Sequence, residues 1–265
     1  MPHKVAVVTG GSSGIGRAIA LKFAKSGFDV VVHAGHQRDD AEQVVREIEA
    51  LGRCGWVRVL DFKQTDRLSE FADQCWQWRG NVTCWVNNAG ADVLTGGVAK
   101  QDFATRLQEV LQVDVVATLL LARRIGNWMH VAGSTDQLRR SIINIGWDQA
   151  NQGMAGESGE MFAASKGAIM ACSRSLAQSL APHVRVNCIA PGWIQTEWGR
   201  QASDAWQQRA CRESLVDRWG QPQDVAALAD FLAGESADFI NGQVLCVNGG
   251  FRFGCENPDD ITSME

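Results

Sequence analysis

Short runs of β-branched and other apolar residues recur along the chain, each followed by a stretch in which apolar positions return every three or four residues. The runs at 4–9, 29–33, 56–60, 83–87, 141–145, 185–189 and 243–247 predict seven strands. Between them, residues 14–26, 40–51, 65–78, 103–129 and 162–180 carry the helical period, and Gly27 and Gly52 supply stop signals for the first two. The strand runs are apolar throughout rather than alternating, which is the mark of strands buried on both faces. Strands alternating with helices therefore predict an α/β fold with a parallel sheet covered on both sides.

Composition narrows this further. A chain of 265 residues with 45% hydrophobic content suits one large domain, residues 1–265, that buries roughly three quarters of its unfolded surface. The five prolines are scattered and no linker interrupts the pattern. A net charge of -5 repels phosphate backbones, and no basic stripe offsets it, so nucleic acid is not an expected partner. No secretion signal precedes the first strand and no apolar run is long enough to cross a bilayer, so the cytoplasm is the expected compartment and no membrane partner is expected. The eight cysteines contain no C-x-x-C pair, which argues for reduced thiols and against a metal site. The polar tail "ENPDDITSME" is expected to fray or to pack on a neighbouring subunit.

The first strand ends in "TGGSSGIGRAIA", which sets Gly10, Gly14 and Gly16 between a strand and a helix. Glycines there let the backbone approach a pyrophosphate, and the first amides of the helix point at it. The same stretch resembles the T-G-x-x-x-G-x-G motif of the short-chain dehydrogenase/reductase family. "NNAG" at 87–90, "PGWIQT" at 191–196 and "NGQVLCVNGG" at 241–250 follow in the order of that family, so the resemblance spans about residues 4 to 251. It implies a doubly wound Rossmann-type three-layer sandwich and a nicotinamide dinucleotide as cofactor. It further implies that Ser12, Ser13 and Ile15 hold phosphate, that Asp61 with Phe62 reads adenine, that Asn88, Ala89 and Gly90 lie along the adenosine ribose, and that Pro191, Gly192, Ile194 and Thr196 contact the nicotinamide and phosphates.

The second strand ends "VVVHAGHQR", with His33 where an NAD site usually carries an acid. His36 and Arg38 follow and offer groups to a 2'-phosphate, so NADP(H) is favoured over NAD(H), although Asp39 and Asp40 work against phosphate.

The catalytic set implied by the resemblance is incomplete. Lys166 matches the family's lysine, which lowers the pKa of a tyrosine and binds the nicotinamide ribose. The tyrosine position is Phe162, and the whole chain contains no tyrosine. The serine position is Trp147, with Gly146 as the alternative match, and the asparagine position is Asp114. A positioned general acid contributes about 10² to 10⁴ in rate, so carbonyl reduction by the usual route is expected to be crippled. Asp148, Glu157, Glu160, Asp114, Lys166 itself or a water are the candidate proton sources.

Ten tryptophans are present, and Trp147, Trp193, Trp198, Trp206 and Trp219 fall in segments that form the substrate side in the family. They predict an aromatic-lined, apolar pocket, and the resemblance implies that residues 193–220 form its lid. The helices near 103–129 and 162–180 form a four-helix subunit contact in relatives, which implies a homodimer or homotetramer. The sequence thus supports an oxidoreductase homologue acting on a small apolar carbonyl or alcohol by a non-standard acid. Its rival is a catalytically inactive module that senses a dinucleotide or another ligand.

Overall fold

A computed structural model describes residues 4–80, 82–136 and 138–252. Seven parallel strands form one sheet in the order β3-β2-β1-β4-β5-β6-β7, with β1 at Lys4–Val8, β2 at Phe28–Ala34, β3 at Gly55–Val59, β4 at Val82–Asn87, β5 at Arg140–Ile145, β6 at Val184–Pro191 and β7 at Val244–Val247. Successive side chains in a strand point to opposite faces, so each strand feeds two cores. Val8, Val30, Val32, Ile143 and Ile189 pack on one face with Ile19, Phe23, Val44, Ile48, Val225 and Leu232. Those partners come from α1 (Gly14–Lys25), α2 (Arg38–Ala50) and α9 (Pro222–Ala233). On the other face Val5, Val7, Val31, Trp85 and Ile142 meet Phe71 of α3 (Leu68–Gln77) and Leu121, Ile125 and Met129 of α5 (Thr118–Asp136).

Strand order reverses between β1 and β4, whose following helices leave on opposite faces of the sheet. At such a switch point the carboxyl ends of the strands open a crevice, and all the glycine-rich and "NNAG" residues lie there.

Two helical expectations are corrected. The continuous helix expected over 103–129 is α4 (Phe103–Val110), a π-helical stretch at Leu111–Ala117, and then α5 running on to Asp136. Asp102 starts α4 by accepting the Thr105 amide at 2.9 Å. The helix expected over 162–180 begins earlier, so that α6 spans Glu157–Leu180. Beyond β6, α7 (Glu197–Gln201) and α8 (Asp204–Glu213) fill the segment expected to be a lid. Among the described residues no helix is long and apolar enough to cross a membrane. The polar C-terminal tail and Cys255 lie outside the described residues.

Candidate functional site

The crevice holds a cleft of about 650 Å³, lined by the turn at 10–15, the ends of β2 and β3, the 88–92 segment, and Thr196 to Trp198. Close packing fixes the turn. A Cβ on Gly10, whose φ is +62°, would stand 2.9 Å from the Ala89 Cα, and one on Gly16 would stand 2.1 Å from the Gly10 carbonyl oxygen. Asn88 ties the turn to β4. Its Nδ2 donates to the carbonyls of Thr9 at 3.0 Å and Gly10 at 3.1 Å, while its own amide and that of Ala89 donate to Thr9 Oγ1 at 2.9 and 3.0 Å.

Ser13 precedes α1 but makes no side-chain cap with it. Ser12, Ser13, Gly14 and Ile15 line the cleft at the start of α1, the positive end of the helix dipole, where anions are favoured. Thr196 crosses over this turn, its Cγ2 3.4 Å from the position of a Cβ on Gly14. Pro191, Gly192 and Ile194 stand outside the cleft lining, as do Gly16 and Lys166.

His33 lines the cleft with both ring nitrogens already engaged. Its Nδ1 accepts from the Gly10 amide at 3.1 Å and its Nε2 donates to the Leu60 carbonyl at 2.9 Å. The ring is buried and stacked on Phe62 with centroids 4.1 Å apart. Burial lowers its pKa to about 4, so it is a neutral strut under the glycine turn. Phe62 is buried with it, His36, Gln37 and Lys63 are exposed at this mouth, and Arg38, Asp39 and Asp40 are exposed just beyond it. His36 Nε2 stands 3.3 Å from Asp61 Oδ2, and Asp61 Oδ1 accepts the Lys63 amide at 2.9 Å.

Deeper in, α6 and the π-helical stretch meet. Lys166 Nζ lies 2.9 Å from Asp114 Oδ2, with side-chain exposures of 15% and 1%. Asp114 Oδ1 accepts the Ala91 amide at 2.8 Å, and both oxygens stand 3.3 Å from the position of a Cβ on Gly90. The carboxylate thus joins the loop after β4, the π-helical stretch and α6. One helical turn before Lys166, the Phe162 ring meets the Trp147 ring edge to face, with centroids 6.3 Å apart. Behind Phe162 a small apolar cluster of Val93, Val110 and Met161 closes the wall.

Comparison with known proteins agrees with this architecture. The family model described as enoyl-(acyl carrier protein) reductase matches residues 10–252. The 3-oxoacyl-(acyl-carrier-protein) reductase FabG of Staphylococcus epidermidis is 31% identical over 253 residues, covering 94% of this chain and 98% of its own. A 7α-hydroxysteroid dehydrogenase solved with NADH and 7-oxo glycochenodeoxycholic acid superposes with a TM-score of 0.83 at 30% identity, over 96% of each chain. A short-chain dehydrogenase of Burkholderia cenocepacia solved with NADP gives 0.81 at 29% identity, covering 93% of this chain and 97% of its own.

The chain belongs to the short-chain dehydrogenase/reductase family. The structure pairs Lys166 with Asp114 and Phe162 with Trp147 around the start of α6, and none of the four carries a hydroxyl. Two rings and an ion pair stand there instead.

Two features were not read from the sequence. Trp193 is anchored through its indole Nε1, which donates to Glu213 Oε2 at 2.7 Å, while Arg209 lies over the faces of Trp193 and Trp206 at 5.7 and 5.1 Å. Asp148, one of several candidate acids in the sequence, proves to be buried at 4% exposure, unlike Glu157 and Glu160, which are exposed. Its burial was signalled only by its place at the end of an apolar strand. The buried thiols of Cys75, Cys84 and Cys188 are each pushed up to about 12 by burial and are unreactive.

Proposed function

We propose that this protein is a nicotinamide-dinucleotide-dependent oxidoreductase that acts on a small apolar carbonyl or alcohol with an acid other than a phenol. The observation that carries the reading is one cleft lined by the glycine turn, by Ser12 and Ser13 at the start of α1, and by the 88–90 segment. These residues fit a dinucleotide. The turn is closed to side chains at Gly10 and Gly16, which is where a backbone must come close to a pyrophosphate.

In this reading Ser12, Ser13 and Ile15 hold the pyrophosphate, Asp61 and Phe62 border the adenine, and Asn88, Ala89 and Gly90 flank the ribose. Lys166 steadies the nicotinamide ribose beside Pro191, Gly192, Ile194 and Thr196. The dinucleotide, when bound, supplies or accepts hydride. The aromatic walls exclude water, and Lys166 and Asp114 hold a fixed charge pair below the reacting centre.

NADP(H) is preferred over NAD(H) in this reading. His36 is 71% exposed at the mouth with Arg38 beside it, and β2 ends without an acid to repel a 2'-phosphate. Solved relatives carry either form, NADH in one and NADP in the other.

The tryptophans of 193–220 form the substrate side, with Trp193 against Trp206 at 5.3 Å and against Trp219 at 6.1 Å. A planar or aliphatic substrate suits such walls better than a sugar. The outward side of α5 exposes Leu120 and Val131, which a second copy of the chain would cover in a homodimer or homotetramer. The described cysteines are all unpaired, in keeping with a cytoplasmic location.

The second reading, a dinucleotide-sensing module without turnover, is favoured by one observation: the Trp147 and Phe162 rings meet edge to face, 6.3 Å apart, and neither carries a hydroxyl to offer a substrate oxygen. Titration of the purified protein with NADPH and NADH, followed by tryptophan fluorescence, tests binding first. Saturable quenching that is tighter for NADPH is expected, and no response to either at millimolar levels would remove both readings. Oxidation of NADPH with a carbonyl panel then separates enzyme from sensor.

A further inference from the structure

A second cavity opens between the start of α3 and the first turns of α5, and it shares no lining residue with the cleft. Its volume is about 330 Å³, the size of a small-molecule site. The buried Leu68 and Leu121, the 48% exposed Leu120 and the indole of Trp128 give it an apolar wall. Thr65, Ser69 and Asn127 add hydroxyl and amide groups to the lining.

Two arginines line this cavity and no acid does, in a chain whose net charge is -5. The two are not equivalent. Arg124 Nε donates to Asp73 Oδ1 at 2.7 Å, and its guanidinium carbon lies 4.8 Å from the centre of the Trp128 ring, so its charge is balanced and its position held. Arg123 is exposed and makes no ion pair among the described residues. Asp66, Arg67 and Glu70 are exposed on the adjoining turns, outside the lining. The cavity therefore carries close to one uncompensated positive charge beside an apolar wall.

We propose that this cavity is a second ligand site, separate from the cleft, that takes a small aliphatic monocarboxylate. The carboxylate pairs with Arg123, and the chain lies against Leu68, Leu120 and Leu121.

Three features of the lining select that class. A guanidinium without a protein partner presents parallel N–H donors that match the two oxygens of a carboxylate. One free charge suits a monoanion better than a phosphate dianion, because Asp73 already offsets Arg124. The leucines and the indole favour an organic body, whose burial against them a bare inorganic anion cannot supply.

Calorimetric titration with hexanoate tests the site. Leu120 also lies on the side of α5 that a second copy would cover, so the titration uses the protein in the assembly it adopts in solution. One saturable site per chain is expected, weaker as salt is raised. Neither hexanol, which lacks the charge, nor inorganic phosphate, which lacks the chain, should bind there. Arg123→Gln should weaken hexanoate about tenfold and Arg123→Lys by less, with the melting temperature unchanged because the side chain is exposed. Asp73→Asn, which releases the charge of Arg124, should tighten it. Saturating NADPH should leave the hexanoate isotherm in place. The inference is overturned by a parent protein that shows no saturable binding, by hexanol or phosphate binding as tightly as hexanoate, by an unaltered affinity in Arg123→Gln, or by displacement of hexanoate by NADPH. Failure to bind either dinucleotide would remove the cleft reading and leave this site standing.

Discussion

Lys166 and Asp114 form a buried ion pair, Nζ to Oδ2 at 2.9 Å, that crosses from α6 to the π-helical stretch. Each group compensates a charge that the other would otherwise leave in a poorly solvated place. Lys166→Met, which removes the cation and keeps the aliphatic stem, should therefore destabilise the fold by about 3–5 kcal/mol, because Asp114 is left charged and buried. Pairing it with Asp114→Leu should recover much of the loss, since no lone charge then remains. Urea midpoints of the two single variants and the double variant measure this, and additive losses would contradict the coupling.

Phe162 keeps a ring where the family resemblance implies a phenol, one helical turn from Lys166 and edge to face with Trp147. Phe162→Tyr adds an oxygen on that ring beside an existing ammonium, which favours its ionised form and makes it an acid of the usual kind. Carbonyl reduction should rise, by about 10² where the acid limits the rate. No gain in Phe162→Tyr, with a gain in the Phe162→Tyr, Trp147→Ser pair, would identify the indole as the further block.

The regular fold is legible because its strands are buried on both faces. Runs such as "VAVV" and "VVVHA" admit no amphipathic helix, and the expected strands at 29–33 and 83–87 lie within β2 and β4. The glycine turn was legible because only glycine satisfies both the positive φ of Gly10 and the space at Gly16. What escaped notice depends on single residues in three dimensions. Over 103–129 the apolar period runs on unbroken, and nothing in the residue types announces the wider π turns that bring Asp114 inward. The start of α6, "ESGEM", carries polar residues and a glycine, so its helical period emerges only at Phe162. His33 stands at the end of β2 in place of an acid, and its two nitrogens are taken by backbone groups of Leu60 and the glycine turn, contacts that no sequence spacing displays.

That same histidine sets a pH dependence of stability. Its folded pKa of about 4 lies below the 6.5 of an exposed imidazole, so the unfolded chain binds a proton at pH values where the folded chain does not. The stabilisation it supports is complete above about 6.5, declines as pH falls toward 4, and is constant below that. The full loss amounts to about 3 kcal/mol at 1.36 kcal/mol per pH unit. Asp148 acts in the opposite sense: its raised pKa makes the folded state hold its proton longer, so its contribution is greatest at low pH and is lost as pH rises through about 6. Urea unfolding at intervals from pH 4 to 8 should show a shallower acid limb in His33→Gln and a steeper one in Asp148→Asn, because the two contributions oppose each other between about pH 4 and 6. Identical limbs in all three proteins would contradict both assignments.

The last prediction separates two ways in which glycine is required. Gly27, with φ +92°, has nothing within 4 Å of the place a Cβ would occupy. Gly27→Ala is therefore a matter of backbone strain alone, about 1–3 kcal/mol of stability, at the far end of α1 from the cleft. Gly16 has an ordinary φ, but a Cβ there collides with the Gly10 carbonyl oxygen at 2.1 Å and with the Asn88 amide at 2.5 Å. Relieving that contact means displacing the turn or breaking the Asn88 hydrogen bonds that hold it to β4. Gly16→Ala should thus weaken NADPH and NADH binding together by tenfold or more, whereas Gly27→Ala should lower the melting temperature and leave both dissociation constants in place. Equal effects of the two variants on binding would show that the turn's shape is not what recognises the pyrophosphate.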